Sequence, residues 1–310
     1  MNDKTIISYK GFNENMQCRG FQYEVGKEYE MDWDIKCCKR GFHACESPME
    51  VWEYYDMLTS RFAKVEQSGK IDKEDNSTKV CSSKIKISAE LKLADIIKLG
   101  VEWIKDVTSP YKVKATGELN DNSGYYAQIG SSGDYAQIGS SGDSAKIGSS
   151  GDYAQIGSSG DSAKIGSSGY YAKIGSSGDY AQIGSSGYSA KIGSSGYSAQ
   201  IGSSGYYAQI GSSGDSAKIG SSGDSAKIGS SGDYAKIDST GEDSVIMCAG
   251  NSSRAKAKVG SWITLAEWKW SDEEKRDVPV CVKTEYVDGE NIKADTWYQL
   301  KNRKFVEVTE

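Results

Sequence analysis

No run of about 18 consecutive apolar residues occurs in the 310-residue chain, so hydropathy offers no membrane-spanning helix. The opening MNDKTIISYK also lacks a basic stretch followed by an apolar one, and the expectation is a soluble, cytoplasmic protein with no membrane partner. Basic excess is missing as well. Residues 1–110 hold 17 basic and 19 acidic groups, 124–240 hold 7 and 9, and 241–310 hold 11 and 13. Such balance excludes the electropositive footprint of a nucleic-acid binder, and a net charge of -6 falls short of an acidic mimic of DNA. Histidine occurs once, at His43, and the seven cysteines are an odd number without an export signal. Reduced thiols or a metal site are therefore expected instead of a disulfide framework.

What the chain has in excess is glycine, 36 residues, most of it in one recurring phrase. From Gly124 to Gly232 a glycine returns every nine residues, giving thirteen copies of Gly, Asp or Tyr, Tyr or Ser, Ala, Gln or Lys, Ile, Gly, Ser, Ser, the last copy ending Asp238-Ser239-Thr240 instead. Fixed-period similarity of this kind predicts a β-solenoid, each copy being a strand and a turn that is stable only on its neighbours. Ala127 and Ile129, like Ala136 and Ile138, are two apart, which in a strand puts both on one face toward a thin core. The Tyr or Ser before the Ala and the Gln or Lys after it then face solvent. The Gly-Ser-Ser-Gly segment reads as the corner, with glycine supplying positive φ. Two or three copies per coil fit the period equally.

Three ligands suit such a block on composition. Calcium rolls follow G-G-x-G-x-D-x-U-x, but here Asp falls one position early and Gln or Lys takes the large apolar site. Nucleic acid would use Tyr interleaved with seven Lys, yet eight Asp at the second position of the copies offset them. A protein- or ligand-binding face is the third, built from the twelve Tyr of the block, with Tyr126, Tyr135, Tyr153, Tyr180, Tyr207, Lys146 and Lys164 as its candidate residues. The plain alternative is a rod that spaces its two ends or joins copies of the chain into a homo-oligomer.

Residues 1–110 read as an α+β head. TIISYKGF, GFQYEVGKEYEM, RFAKVEQSGKI and SKIKISAEL alternate like strands, and LADIIKLGVEWIKDV is a helix with Ile96, Ile97, Val101 and Ile104 on its apolar side. Ser47, Pro48 and Glu50 form an S-P-x-E start, predicting a capped helix over Met49, Val51, Trp52 and Tyr55. His43 and Cys45 should share a strand face. With Cys18 and Cys37 they make a candidate three-Cys, one-His zinc set, although no C-x-x-C pair is present; buried thiols and a structural His are the alternative. Zinc is the only cofactor the residues bring into question, and no catalytic residue is assigned.

The segments YKGF, CRGFQYEVGK, GFHACESPMEVWEYY and FAKVEQSGKI resemble an uncharacterised domain family of phage and prophage proteins, often placed ahead of a Gly-rich repetitive stretch. The resemblance spans about the first 110 residues. It implies a mobile-element origin, no activity, and a partner among host proteins. A second likeness is to ADP-ribosyltransferases, in which a Y-R-G strand precedes a G-F-x-S-x-S strand and a catalytic Glu. Tyr9-Lys10-Gly11 has Lys for that Arg, Gly41 to Cys45 lacks the serines, and no E-x-E follows in a suitable place. An enzyme with its site in the head and the solenoid as spacer is the alternative this implies.

Beyond Gly241 the period fades. SWITLAEWKW and DTWYQLKNRKFVEV alternate as strands around the turn signal Asp288-Gly289, and Trp262, Trp268, Trp270 and Trp297 supply an aromatic core for a β cap over the last coil. The expected architecture is mainly β: an α+β head over 1–110, a nonapeptide-repeat β-solenoid over 111–249 and a β cap over 250–310. Its expected function is non-enzymatic binding or structural, with engagement of a host factor in counter-defence as what the phage-like resemblance implies.

Overall fold

The computed structural model describes residues 5–73, 77–108 and 124–309, and the expected boundary at 110 lies outside them. The chain divides into two compact units, Met1–Trp103 and Ile104–Glu310.

The first unit is a small β domain. Its strands are β1 (Ile6–Phe12), β2 (Gln17–Cys18), β3 (Phe21–Gln22), β4 (Glu28–Glu30), β5 (Phe42–Cys45), β6 (Arg61–Lys73) and β7 (Lys79–Leu91), followed by helix α1 (Leu93–Val107). The main sheet runs β4-β7-β5-β1-β6 and is antiparallel, and β6 also pairs with β7, so the sheet closes on itself. Alternation in β1, β6 and β7 sends Phe12, Ala63, Val65, Ile85 and Ile87 inward to meet Phe42 and Ala44 of β5. Helix α1 buries Ile96, Ile97, Val101 and Ile104, the face its period specified. The expected capped helix is instead one 3-10 segment, Met49–Glu53, with no side-chain cap. Glu50 does not fold back on its own helix: its carboxylate accepts from the Thr78 hydroxyl at 2.6 Å and the Thr78 N–H at 3.3 Å. A buried carboxylate takes the stronger external donors, and the capping box is lost.

The second unit holds the repeats, and the period resolves as two copies per coil. Each four-residue strand pairs in parallel with the strand 18 residues on, as Lys146–Ser149 does with Lys164–Ser167 and Gln155–Ser158 with Lys173–Ser176. Alternate strands build two parallel sheets. One, the even sheet, runs from Gln128–Ser131 to Arg254–Ala257; the other, the odd sheet, runs from Gln137–Ser140 to Trp262–Ser271. From Ile138 and Ala145 onward the Ile of each copy and the Ala before its strand are buried between the sheets, Ile165 and Ala163 at 0% exposure, while Ala127, Ile129 and Ala136 at the open end are half-buried.

The strand spans Gln or Lys, Ile, Gly and Ser, so the corner falls one step later than Gly-Ser-Ser-Gly predicts. Its left-handed residue is the Tyr or Ser before Ala and no glycine, as at Tyr135 (φ 58°), Ser144 (56°) and Tyr153 (57°). That conformation costs a non-glycine residue roughly 1 kcal/mol. It is offset because the same residue's N–H reaches the next coil, Tyr135 to the Asp152 carbonyl and Ser144 to the Asp161 carbonyl, both at 2.8 Å.

The last coil is covered as expected. Trp262–Ser271 pairs antiparallel with Arg276–Tyr286, and on the even sheet Arg254–Ala257 meets Tyr298–Lys301, which pairs with Lys304–Glu307. Pro279 and the charged Lys283 and Glu285 sit on the outermost strand of the odd sheet, which discourages another chain from adding there. Of the four tryptophans expected in the cap core only Trp297 is buried, beside Tyr298, Val287, Ile292 and Leu300; Trp262 and Trp270 are exposed. Their strand alternation points them outward while Ile263 and Leu265 fill the interior.

Candidate functional site

The two solenoid sheets present different outer faces although their sequences are nearly the same. On the odd sheet the outward positions are exposed, and on the even sheet they are buried or half-buried. Near the start of the even sheet, residues 104–108, which belong to the second unit, lie against Gly130 and Gly148, where an added Cβ would press on Thr108 and Lys105, and the Lys105 ammonium donates to the Ser168 hydroxyl at 2.8 Å.

Along the odd sheet Gly139, Gly157, Gly175, Gly193, Gly211 and Gly229 form the floor of a groove of about 860 Å³, walled by Gln137, Gln155, Lys173, Lys191, Gln209 and Lys227. A Cβ on any of these glycines would meet nothing within 4 Å, and none has positive φ. Among the described residues neither backbone conformation nor packing demands glycine there. In a strand glycine costs roughly 0.5–1 kcal/mol relative to alanine. No acidic side chain projects from this face, and among the described residues Lys173, Lys191 and Lys227 have no ion-pair partner. At the C-terminal end the same columns turn apolar: Val245, Met247, Trp262, Tyr286 and Val282 are exposed, with the Trp262 and Tyr286 rings 5.1 Å apart.

The edge leading into this face carries a continuous aromatic strip. Tyr135, Tyr153 and Tyr171 stack at 5.0 and 4.9 Å, Tyr170, Tyr188 and Tyr206 at 4.8 and 5.7 Å, and edge contacts of Tyr170 with Tyr171 and of Tyr188 and Tyr206 with Tyr207 join the rows. Interplanar angles of 6° to 23° within the rows mean that each ring covers its neighbour's face, so hydroxyls and ring edges are what the strip displays.

Where Asp takes the second position of a copy, it holds the next coil. Asp143 accepts from the Asp161 N–H, Asp161 from the Asp179 N–H and Asp179 from the Tyr197 N–H, at 2.9, 2.8 and 2.7 Å. The Tyr170–Tyr188–Tyr206 row has no such acceptor. There the N–H of Ser189 and of Tyr207 goes to the carbonyls of Tyr170 and Tyr188, and neither Ser189 nor Tyr207 is left-handed.

The first unit has its own cleft, about 1020 Å³, lined among others by Lys10, Arg19, Phe21, Tyr29, His43 and Lys79. Lys10 is 5% exposed. Its ammonium donates to the His43 carbonyl at 2.9 Å and reaches the Cys18 sulfur at 3.6 Å, which in turn lies 2.9 Å from the Tyr55 hydroxyl. Burial lowers the Lys10 pKa, opposed by Cys18. Burial, then the charge of Lys10, lowers that of His43, whose Nε2 accepts the Cys38 N–H at 2.9 Å and is thereby fixed as the unprotonated nitrogen. The Cys45 thiol is pushed up to about 12 by burial and by Glu50 and Glu53, so it stays protonated at neutral pH and is a poor nucleophile.

The residues singled out from sequence are thus distributed. Tyr135, Tyr153 and Tyr207 lie in the aromatic strip beside the groove, whereas Tyr126 and Tyr180 lie on the opposite edge. Lys146 and Lys164 stand on the even sheet, half-buried and engaged. Cys18 bonds Tyr55, Cys37 donates its N–H to Asp72, and His43 and Cys45 share the outer side of β5; among the described residues no three His, Cys, Asp or Glu side chains are grouped to hold a metal ion. Period alone could not reveal the Lys173, Lys191 and Lys227 column, because it appears only once the 18-residue coil sorts odd copies from even.

Residues 6–99 match the family model described as a domain of unknown function, DUF7666. No curated protein and no solved structure matches the chain. The matched segment contains the GFHAC motif, and its description assigns no activity.

Proposed function

We propose that the chain is a non-enzymatic binding protein whose solenoid receives an extended, acidic polypeptide segment along the odd sheet. The observation that carries this is the row of outward glycines that no packing among the described residues requires, beside Lys173, Lys191 and Lys227, which have no ion-pair partner among those residues. At the usual strand spacing of about 4.8 Å, six glycine rows span roughly 24 Å, the length of about seven extended residues. Carboxylates of such a segment meet the lysines, and apolar residues at one end meet Val245, Met247 and Trp262.

Other occupants fit less well. Nucleobases need open ring faces, and the tyrosines spend theirs on one another. A second copy laid face to face would oppose lysine to lysine. The phage-like resemblance of the N-terminal motif supports a partner of host origin, met in the cytoplasm, and makes counter-defence the setting of the interaction.

The test is fluorescence anisotropy of a labelled peptide of alternating Glu and Val, about eight residues long. Salt-sensitive binding is expected, weakened about tenfold or more in Lys173→Gln/Lys191→Gln/Lys227→Gln and little changed in Lys146→Gln/Lys164→Gln. Equal loss in both variants, or preference for a single-stranded oligonucleotide, contradicts the reading.

A further inference from the structure

The cleft of the first unit brings Lys10, Arg19 and Lys79 to one concavity. Lys10 is buried on β1, and the groups that act on it are Cys18, Cys45 and Arg19, with no carboxylate among them. Its two hydrogen-bond acceptors are the His43 carbonyl and the Cys18 sulfur, so of the three N–H groups of the ammonium one has no partner among the described residues. Its ring contacts, 5.5 Å to the centroids of both Phe12 and Tyr23, are favourable but do not neutralise it. Arg19 and Lys79 line the same cleft, and both their charges reach His43. Lys79 stands opposite Cys45 in register on β7, its ammonium 4.3 Å over the Tyr54 ring. The acids of the lining, Glu28, Glu30 and Asp32, are all exposed at or just after β4, and Glu30 is paired with Lys84 at 3.0 Å.

A buried cation without a counter-charge is costly unless something answers it, and convergent cations in a concave site are how proteins hold anions. The opposite wall is aromatic. Phe21 is 46% exposed and leans edge-on against Tyr23 and Tyr29, at 4.8 and 5.3 Å, which leaves ring surface facing the cleft. We propose that this cleft binds a small phosphorylated ligand carrying a planar ring, of the nucleoside monophosphate class, with its phosphate toward Lys10, Arg19 and Lys79 and its ring against Phe21. The dimensions agree, since sites for molecules of this size enclose a few hundred to about 1000 Å³. The inference is independent of the solenoid face.

Calorimetric titration of the full chain with adenosine monophosphate, adenosine and inorganic phosphate tests it. Saturable binding of the monophosphate is expected with a Kd below about 1 mM, and at least about tenfold weaker binding of each half alone. Arg19→Asn keeps a residue that tolerates the left-handed backbone there (φ 51°), and with Lys79→Gln it should weaken the monophosphate about tenfold. Lys10→Met is informative only alongside these two, because its site is buried. Absence of saturable heat with all three probes overturns the proposal, as does an affinity unchanged in both Arg19→Asn and Lys79→Gln. Phosphate binding as tightly as the monophosphate overturns the part assigned to Phe21.

Discussion

At Gly151 an added Cβ would overlap the carbonyl oxygen of Gly133 in the preceding coil, and the same holds at Gly160 against Gly142. At Gly157, one strand away, it would enter open space. Gly151→Ala is therefore expected to destabilise by about 2 kcal/mol or more, because coils already in backbone contact must part. Gly157→Ala should be neutral or stabilising by about 0.5–1 kcal/mol, since a strand glycine loses more entropy on folding. Urea unfolding of the two variants separates them, and similar losses would show that the outward glycines are structural. In sequence the two positions look nearly alike, the first glycine present in all thirteen copies and the outward one replaced only by Asp238. Their difference comes from distance between coils, which no single copy contains.

The elements were legible where alternation or helical period acts alone. Strands β6 and β7, helix α1 and the inward Ala and Ile of every copy follow directly from spacing, because burial of one face decides them. Turns were less legible, since their geometry depends on partners 17 to 19 residues away, such as the Asp161 carboxylate on the Asp179 N–H. The 3-10 segment at Met49 likewise answers to Thr78, a residue remote in sequence. One turn that sequence did mark is Asp288-Gly289. Asp288 accepts from Asn291 Nδ2 at 2.7 Å and from the backbone N–H groups of Glu290, Asn291 and Ile292, and Gly289 takes φ 83°. These bonds, that of the Asn291 side chain first, hold the Asp288 carboxyl down at about 2, below its usual 3.8. A carboxyl depressed in the folded state stabilises it above the unfolded pKa, and that contribution disappears as pH falls through the folded value. Asp288→Ala should thus lower the unfolding temperature at neutral pH, with the gap from wild type closing between pH 4 and pH 2. A gap of constant size over that range would place the stabilisation elsewhere.

At the scale of the molecule, two sheets of nearly the same sequence differ in the exposure of their outward positions, and that difference singles out one face. Repetition announced the solenoid, its core and the need for a cap, but it treats odd and even copies alike. The groove, its lysines and the apolar patch at its end emerge only when 18-residue coils stack. The cleft of the first unit was hidden differently, because Lys10, Arg19 and Lys79 converge through the closure of β1, β5 and β7, and the sequence shows them only as scattered charges.

The central claim is that the bare glycine floor exists for a partner. Binding of the alternating Glu-Val peptide to Gly157→Val/Gly175→Val/Gly193→Val tests it most directly, since an added Cβ at each position meets nothing within 4 Å among the described residues and the branched side chain occupies the groove. The account predicts a folded protein, at least as heat-stable as wild type, with peptide affinity lowered about a hundredfold or more. A folded variant that binds the peptide as wild type does would contradict it.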